Sequence, residues 1–222
     1  MRILAGIPAH NNARCIGSLV LMIEMGKYAD EIIIVDDGSV DDTVEIVEEC
    51  VTSAKETNPL VTAVIKQGNA GEGVAIRRLM EEAKKRDADA LVMIEANCEY
   101  NPDDIPKVLA PIVNDEADLV IGSRFMGDKK EENKNKMVFA RRFWVKIFSF
   151  MANRVAKAKV TVTDSQSGLR VLSRYAMETI RTKMDGDAVK WEMVVNAADQ
   201  GLRVKEVGIG IWSEGKISGG YD

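Results

Sequence analysis

The segment Glu31 to Thr43, EIIIVDDGSVDDT, constrains the fold more than any other stretch of the chain. Ile32, Ile33, Ile34 and Val35 form an uninterrupted β-branched run, the pattern of a strand buried on both faces in a sheet covered by helices. Asp36, Asp37 and Gly38 follow at the carboxyl end of that strand, where open α/β sheets bind ligands. Carboxylates there can accept hydrogen bonds from a base N–H or a ribose hydroxyl, so Asp36 and Asp37 are candidates for nucleotide recognition. Ser39 is read as an N-cap with Asp42 at the third helical position, and Asp41 and Asp42 suit the positive end of the helix dipole. The alternative is a capped turn after a buried strand with no ligand, and the doublet alone leaves both open.

Strand-like runs at Ile3–Ile7, Ile32–Val35, Val61–Ile65, Leu91–Ile94 and Leu119–Ile121 alternate with helical patterns over about 14–27, 41–54, 72–86 and 103–114. This βαβ rhythm predicts a mostly parallel, Rossmann-like sheet. Past Gly122 the rhythm changes. A loop rich in Lys, Glu and Asn, Asp128 to Lys136, leads to a long helix pattern, then Asp164-Ser165-Gln166-Ser167-Gly168, another helix pair and a strand at Val204–Val207. One α/β domain is expected over residues 1–222, with a nucleotide-binding half at 1–122 and a half at 123–222 that builds the second ligand's site. The charged loop reads as a solvated connection, and its place beside the site suits a lid.

Composition removes several classes. With 222 residues and 46% hydrophobic content, the chain can bury one real core. A formal net charge of −5 gives no global attraction for nucleic acid, which is not expected as a partner. Cys15, Cys50 and Cys98 are odd in number and lack CxxC spacing, which argues against a disulfide framework and a structural zinc site and for a reducing compartment. The opening MRILAGIPAH is too short an apolar run for a signal peptide, and nowhere do ~18 apolar residues run together. A cytoplasmic chain without a membrane span is expected.

Further segments fall in a telling order: Ile7-Pro8-Ala9-His10-Asn11-Asn12, Gly68-Asn69-Ala70-Gly71-Glu72-Gly73, Glu95-Ala96-Asn97 before Asn101-Pro102-Asp103-Asp104-Ile105-Pro106, Gly122-Ser123-Arg124-Phe125, Asp164-Ser165-Gln166-Ser167-Gly168-Leu169-Arg170 and Glu206-Val207-Gly208-Ile209. With VDDGSVDDT, they resemble the (I/V)PAYNE, VDDGSxDxT, NxGKG, DxD, GSRY, DxxSGFR and EVPI motifs of inverting GT-A glycosyltransferases. The resemblance is to the polyprenyl-phosphate group that includes dolichyl-phosphate mannosyltransferase and its glucosyl counterparts, and it covers nearly the whole chain. It implies a GT-A fold and transfer of a hexose from UDP or GDP to a polyprenyl phosphate. It also implies Mg²⁺ or Mn²⁺ at the DxD position, here Glu95 and Asn97. Donor contacts then fall on Pro8, His10, Asn12, Asp36, Asp37, Gly68, Asn69, Gly71, Glu95 and Asn97, with His10 as a base-stacking or wall residue. Fold alone does not settle activity.

Departures from the family pattern cluster around the diphosphate. The DxD aspartates are Glu95 and Asn97, the YNE glutamate is Asn12, the NxGKG lysine is Glu72, and an arginine near the carboxyl end corresponds to Glu214. These five positions hold three glutamates and no cation. Glu95 and Asn97 both offer hard oxygen atoms, so a weaker metal site is one reading and a strand-end turn the other. A compensating cation, an unusual donor, or a noncatalytic protein of the same fold that binds a nucleotide or acts as a scaffold all remain open.

On the acceptor side, MVFARRFWVKIFSFMANRVAKAK, Met137 to Lys159, repeats Phe143, Ile147, Phe150 and Met151 at helical spacing among Arg141, Arg142, Lys146, Arg154, Lys157 and Lys159. It resembles a membrane-surface helix, and Trp144 suits a lipid interface; an amphipathic helix packed on the sheet or a dimer contact is the alternative. A phosphate acceptor needs little acid–base help, whereas a sugar hydroxyl requires a base, for which Asp164 is the nominee. Arg124, Gln166 and Arg170 match family positions near the reaction centre and are assigned to phosphate contacts; Arg170 reads equally as a buried structural arginine paired with Asp164.

Overall fold

The computed structural model describes residues 1–54, 61–127, 137, 139–155 and 161–212. The Asp128–Lys136 lid expectation, Glu214, Lys157 and Lys159 and the side chain of Arg141 lie outside the described residues. Seven strands form one sheet: β1 (Ile3–Ala9), β2 (Glu31–Asp36), β3 (Val61–Lys66), β4 (Ala90–Met93), β5 (Leu119–Ser123), β6 (Arg170–Ser173) and β7 (Val204–Gly208). Their order is β3-β2-β1-β4-β6-β5-β7. Every pairing is parallel except those of β6, which runs antiparallel to both β4 and β5.

The helices are α1 (Ala13–Gly26), α2 (Thr43–Ala54), α3 (Glu72–Lys85), α4 (Ile105–Val113), α5 (Phe139–Val155), α6 (Arg174–Thr179) and α7 (Val189–Asp199). Side chains of a strand alternate between faces, and β2 divides accordingly. Ile32 and Ile34 belong to a core cluster on one face with Ile16, Leu19 and Val20 of α1 and Val108 and Ile112 of α4. Ile33 and Val35 belong to the cluster on the other face with Ile76 and Leu79 of α3, Met177 of α6 and Met193 of α7. The continuous apolar run is thus a strand with two dry faces, and each buried side chain of this size stabilises by about 1.5–3 kcal/mol.

Three sequence expectations change in the structure. Helix α2 starts at Thr43, and its first N–H donates to Asp41 Oδ1 at 3.1 Å, so Asp41 caps this end. Ser39 Oγ instead accepts from the Asn11 N–H at 2.9 Å, and Asp42 offers its backbone carbonyl to Ile46. Residues 170–173, expected to run on into a helix pair, form β6 before α6 begins. Cys15 and Cys98, 83 positions apart, are joined in a disulfide with a Cα separation of 5.5 Å. Parallel pairing of β1 with β4 brings the segments beyond both strands side by side, a proximity that cysteine spacing along the chain does not reveal.

Candidate functional site

The carboxyl ends of β1, β2 and β4 open into a cleft of about 430 Å³. It gathers Pro8, His10, Asn12, Asp37, Asn69, Gly71, Glu95 and Asn97, together with Glu72, Asp187 and Lys190. Gly68 and Asp36 do not line it. Asp36 is buried beneath the turn, its carboxylate facing the Ser39 N–H at 3.3 Å.

Asp37 has a definite structural task. Its Oδ1 accepts from Gln67 Nε2 and the Ala70 N–H, and its Oδ2 from the Gly71 N–H, all at 2.8 Å. These bonds make Asp37 a latch that holds the glycine loop at the head of α3, at the edge of the cleft it also lines. Gly71 has φ +99, and a side chain there would strike the carbonyl of Asp185. His10 Nδ1 lies 2.9 Å from the Asp37 carbonyl, fixing an exposed ring at the cleft edge where a wall residue was expected.

The floor of the cleft is ionic. Lys190, on α7, is buried, with its ammonium 2.9 Å from Glu72 Oε1 and 2.5 Å from Glu95 Oε1. Glu95 Oε2 accepts from Asn97 Nδ2 at 2.8 Å, while Asn97 Oδ1 accepts from the Glu99 N–H at 3.1 Å. Gly168 of the DSQSGLR segment lies directly against the Glu95 carboxylate, and a Cβ there would collide with it. Burial pushes the Glu72 carboxyl up, the negative charge of Glu95 adds to this, and the group reaches about 8 despite Lys190. Burial acts on Glu95 in the same sense, but Lys190 more than offsets it and holds this carboxyl below its ordinary value. Burial disfavours the Lys190 ammonium, and the two carboxylates outweigh that and keep it charged.

This arrangement bears on the expected Mg²⁺ or Mn²⁺ at Glu95 and Asn97. Both Glu95 oxygens are engaged, one by an ammonium, and the amide of Asn97 turns a donor toward Glu95. No group of three or more His, Cys, Asp or Glu side chains is placed to hold a metal ion among the described residues. A divalent ion does not fit these residues as they stand, because like charge already occupies the carboxylate it would need.

The nominated catalytic residues lie behind the cleft. Arg124 and Asp164 form a buried ion pair, 1% and 0% exposed, with Arg124 Nε 2.8 Å from Oδ2 and Nη2 2.9 Å from Oδ1. Asp164 also accepts from the Arg124 N–H at 3.0 Å, so both oxygens are committed, and the carboxylate nominated as a base serves as the anchor of a buried arginine. Arg170 is spent on carbonyls: Nε donates to Ser167 at 2.8 Å, Nη1 to Lys190 at 2.7 Å and Nη2 to Ser165 at 2.5 Å. Burial pulls its guanidinium down to about 10. It is buried as the structural reading expected, but its partners are these carbonyls and not Asp164, which pairs with Arg124; through Lys190 it fixes the start of α7. Gln166 differs: its Nε2 is shielded and has no hydrogen-bond partner among the described residues.

Residue-by-residue reading missed Lys190, Tyr100 and Glu99. Tyr100 accepts the Gly168 N–H at 2.6 Å and lies under the Arg124 guanidinium at 5.8 Å, and Glu99 Oε2 is 3.2 Å from Arg124 Nη1. The absence of a cation at position 72 was the one signal pointing toward Lys190.

A second cavity of about 420 Å³ lies under α5, lined by Phe125, Arg142, Lys146, Ser149, Phe150, Asn153, Val162 and Thr163. Val145, Ser149 and Ala152 form the buried stripe of this helix, while Phe143, Trp144, Phe150 and Met151 are exposed. No described helix is long and apolar enough to cross a membrane.

The sequence is 31% identical over 213 residues to a UDP-N-acetylglucosamine–dolichyl-phosphate N-acetylglucosaminyltransferase of Methanococcus voltae, covering 91% of this chain and 82% of that protein. It is 28% identical over 198 residues to a dolichol-phosphate mannosyltransferase of Pyrococcus furiosus, covering 88% of this chain and 53% of that one. Among solved structures, glucosyl-3-phosphoglycerate synthase of Mycobacterium tuberculosis, crystallised with Mn²⁺ and UDP, superposes with a TM-score of 0.68 at 20% identity, over 95% of this chain and 70% of that one. The sequence profile of glycosyl transferase family 2 matches residues 5–181, and the chain belongs to that family.

Proposed function

We propose that the protein transfers a hexose or N-acetylhexosamine from a nucleoside diphosphate sugar to a polyprenyl phosphate, with inversion at the anomeric carbon. The observation that carries this reading is the convergence of Pro8, His10, Asn12, Asn69, Gly71 and Glu95 on one cleft at the strand ends of a family 2 chain. The donor lies in that cleft, its nucleoside toward His10 and Asn12 and its diphosphate toward the Gly71 loop and Lys190. An acceptor phosphate oxygen attacks the anomeric carbon opposite the diphosphate. The bond from that carbon to the diphosphate oxygen breaks, and its electron pair leaves on the diphosphate. The acceptor phosphate is largely dianionic near neutral pH, so no proton has to be removed and the commitment of Asp164 to Arg124 costs the reaction nothing. Catalysis rests on alignment and on stabilising the leaving diphosphate.

Arg142 and Lys146 at the second cavity suit the acceptor phosphate, and the exposed Phe143, Trp144, Phe150 and Met151 suit the surface of the bilayer that holds its lipid tail. Gln166 Nε2 is a further donor for a phosphate oxygen. The protein then works peripherally on the cytoplasmic face. The disulfide withdraws the cysteine argument for that side, leaving the nucleotide-sugar donor as its support.

The test is transfer of labelled sugar from UDP-N-acetylglucosamine, UDP-glucose and GDP-mannose into an organic-extractable product with dolichyl or undecaprenyl phosphate. A labelled lipid phosphodiester from one donor is the expected result. A folded protein that binds nucleotide yet forms no product with any donor favours the second reading, a noncatalytic scaffold, for which the occupation of Glu95 by Lys190 is the supporting observation.

A further inference from the structure

In the resembling glycosyltransferases a lysine belongs to the glycine loop, and here that position is Glu72. The structure supplies a positive charge beside Glu72 from the other half of the chain. Lys190 extends from α7 into the cleft and meets Glu72 Oε1 at 2.9 Å and Glu95 Oε1 at 2.5 Å. A glutamate of α3 and a lysine of α7 meet in this contact. An ammonium is unfavourable in so buried a place unless it is paired, and both partners are themselves constrained. Glu72 opens α3, and Glu95 is wedged between Asn97 Nδ2 and the bare Cα of Gly168. Arg170 fixes the root of the lysine through its 2.7 Å bond to the Lys190 carbonyl.

A lysine ammonium has three N–H donors. The Lys190 ammonium is ion-paired with Glu72 and Glu95 on one side, and Lys190 also lines the open cleft. We propose that Lys190 is the resident cation of the donor site, holding at Glu95 the position a divalent ion would need and binding the donor diphosphate directly, so that donor binding does not require a metal. This rests on the nucleotide-sugar reading above. During transfer the electron pair of the breaking carbon–oxygen bond passes to the diphosphate. Lys190 keeps its protons and strengthens its hydrogen bond to the oxygen that gains charge.

The experiment uses calorimetry on the purified protein, on Lys190→Gln and on the charge-exchanged pair Glu72→Lys with Lys190→Glu. Mn²⁺ alone is titrated first, then UDP and GDP in EDTA and again in Mn²⁺. The native protein is expected to take up no Mn²⁺ at Glu95 and to bind one nucleotide equally well in EDTA and in Mn²⁺. Lys190→Gln removes the ammonium that occupies Glu95, so it gains Mn²⁺ binding and loses nucleotide affinity in EDTA by at least about tenfold, with Mn²⁺ restoring part of it. The exchanged pair, which keeps the ion pair and guards against a misfolded single variant, regains metal-free binding. Native nucleotide binding that appears only with Mn²⁺ overturns the proposal and leaves the transferase reading standing. Unchanged EDTA binding in folded Lys190→Gln overturns it as well. Failure of every nucleotide in every condition, with native circular dichroism, overturns the transferase reading and this proposal with it.

Discussion

At the scale of single residues, buried charge does two different jobs in this protein. Arg124 and Asp164 sit behind the cleft with every contact satisfied within the chain, so their pairing serves the fold. Asp164→Ala removes the carboxylate paired with the buried Arg124, whose neighbours include Glu99 and Tyr100, and the expected cost is about 3–5 kcal/mol in urea unfolding. A base role for Asp164 predicts instead that the same change removes turnover and leaves the unfolding midpoint in place. Gly168 links the two regions, since its missing side chain is what lets Glu95 face Lys190. Gly168→Ala is expected to displace the Glu95 carboxylate and weaken donor binding or turnover by about tenfold to a hundredfold. Native affinity and rate in that variant would refute the close-packing account. Asp36 and Asp37 were legible as important from their place at a strand end, but their internal partners were not. Whether a carboxylate faces a ligand or a neighbouring loop depends on where Gln67, Ala70 and Gly71 come to lie.

At the scale of elements, α5 presents an apolar surface that the sheet does not use. Phe150 is 65% exposed and Trp144 57%, on the helix that also carries Arg142 and Lys146 beside the second cavity. Phe150→Glu with Trp144→Glu should leave the melting temperature nearly unchanged and abolish most sedimentation with anionic vesicles. Equal sedimentation of both forms would return α5 to the role of an amphipathic helix or a dimer contact. The Cys15–Cys98 bond ties the start of α1 to the loop after β4, which carries Glu95 and Asn97 at its near end. Closing so long a loop is expected to contribute about 2–4 kcal/mol, so reduction should lower the unfolding midpoint accordingly. Coincident oxidised and reduced unfolding curves would show that the bond adds nothing.

For the whole molecule, the periodicity of apolar residues was enough to mark the strands and helices of residues 1–122, because a strand dry on both faces and a helix dry on one leave distinct patterns. It was not enough for β6. Four residues directly before a helix carry no period of their own, and their pairing between β4 and β5 is long-range. The order of motifs determined by itself the sheet class and the family, since those follow from local pattern and chain order. Only the tertiary structure decided which charges meet. Lys190 and Glu72 lie on helices far apart in sequence that pack against the same sheet face, and Cys15 reaches Cys98 only because β1 lies beside β4. Electrostatic partnership depends on distance in space, and distance along the chain does not contain it.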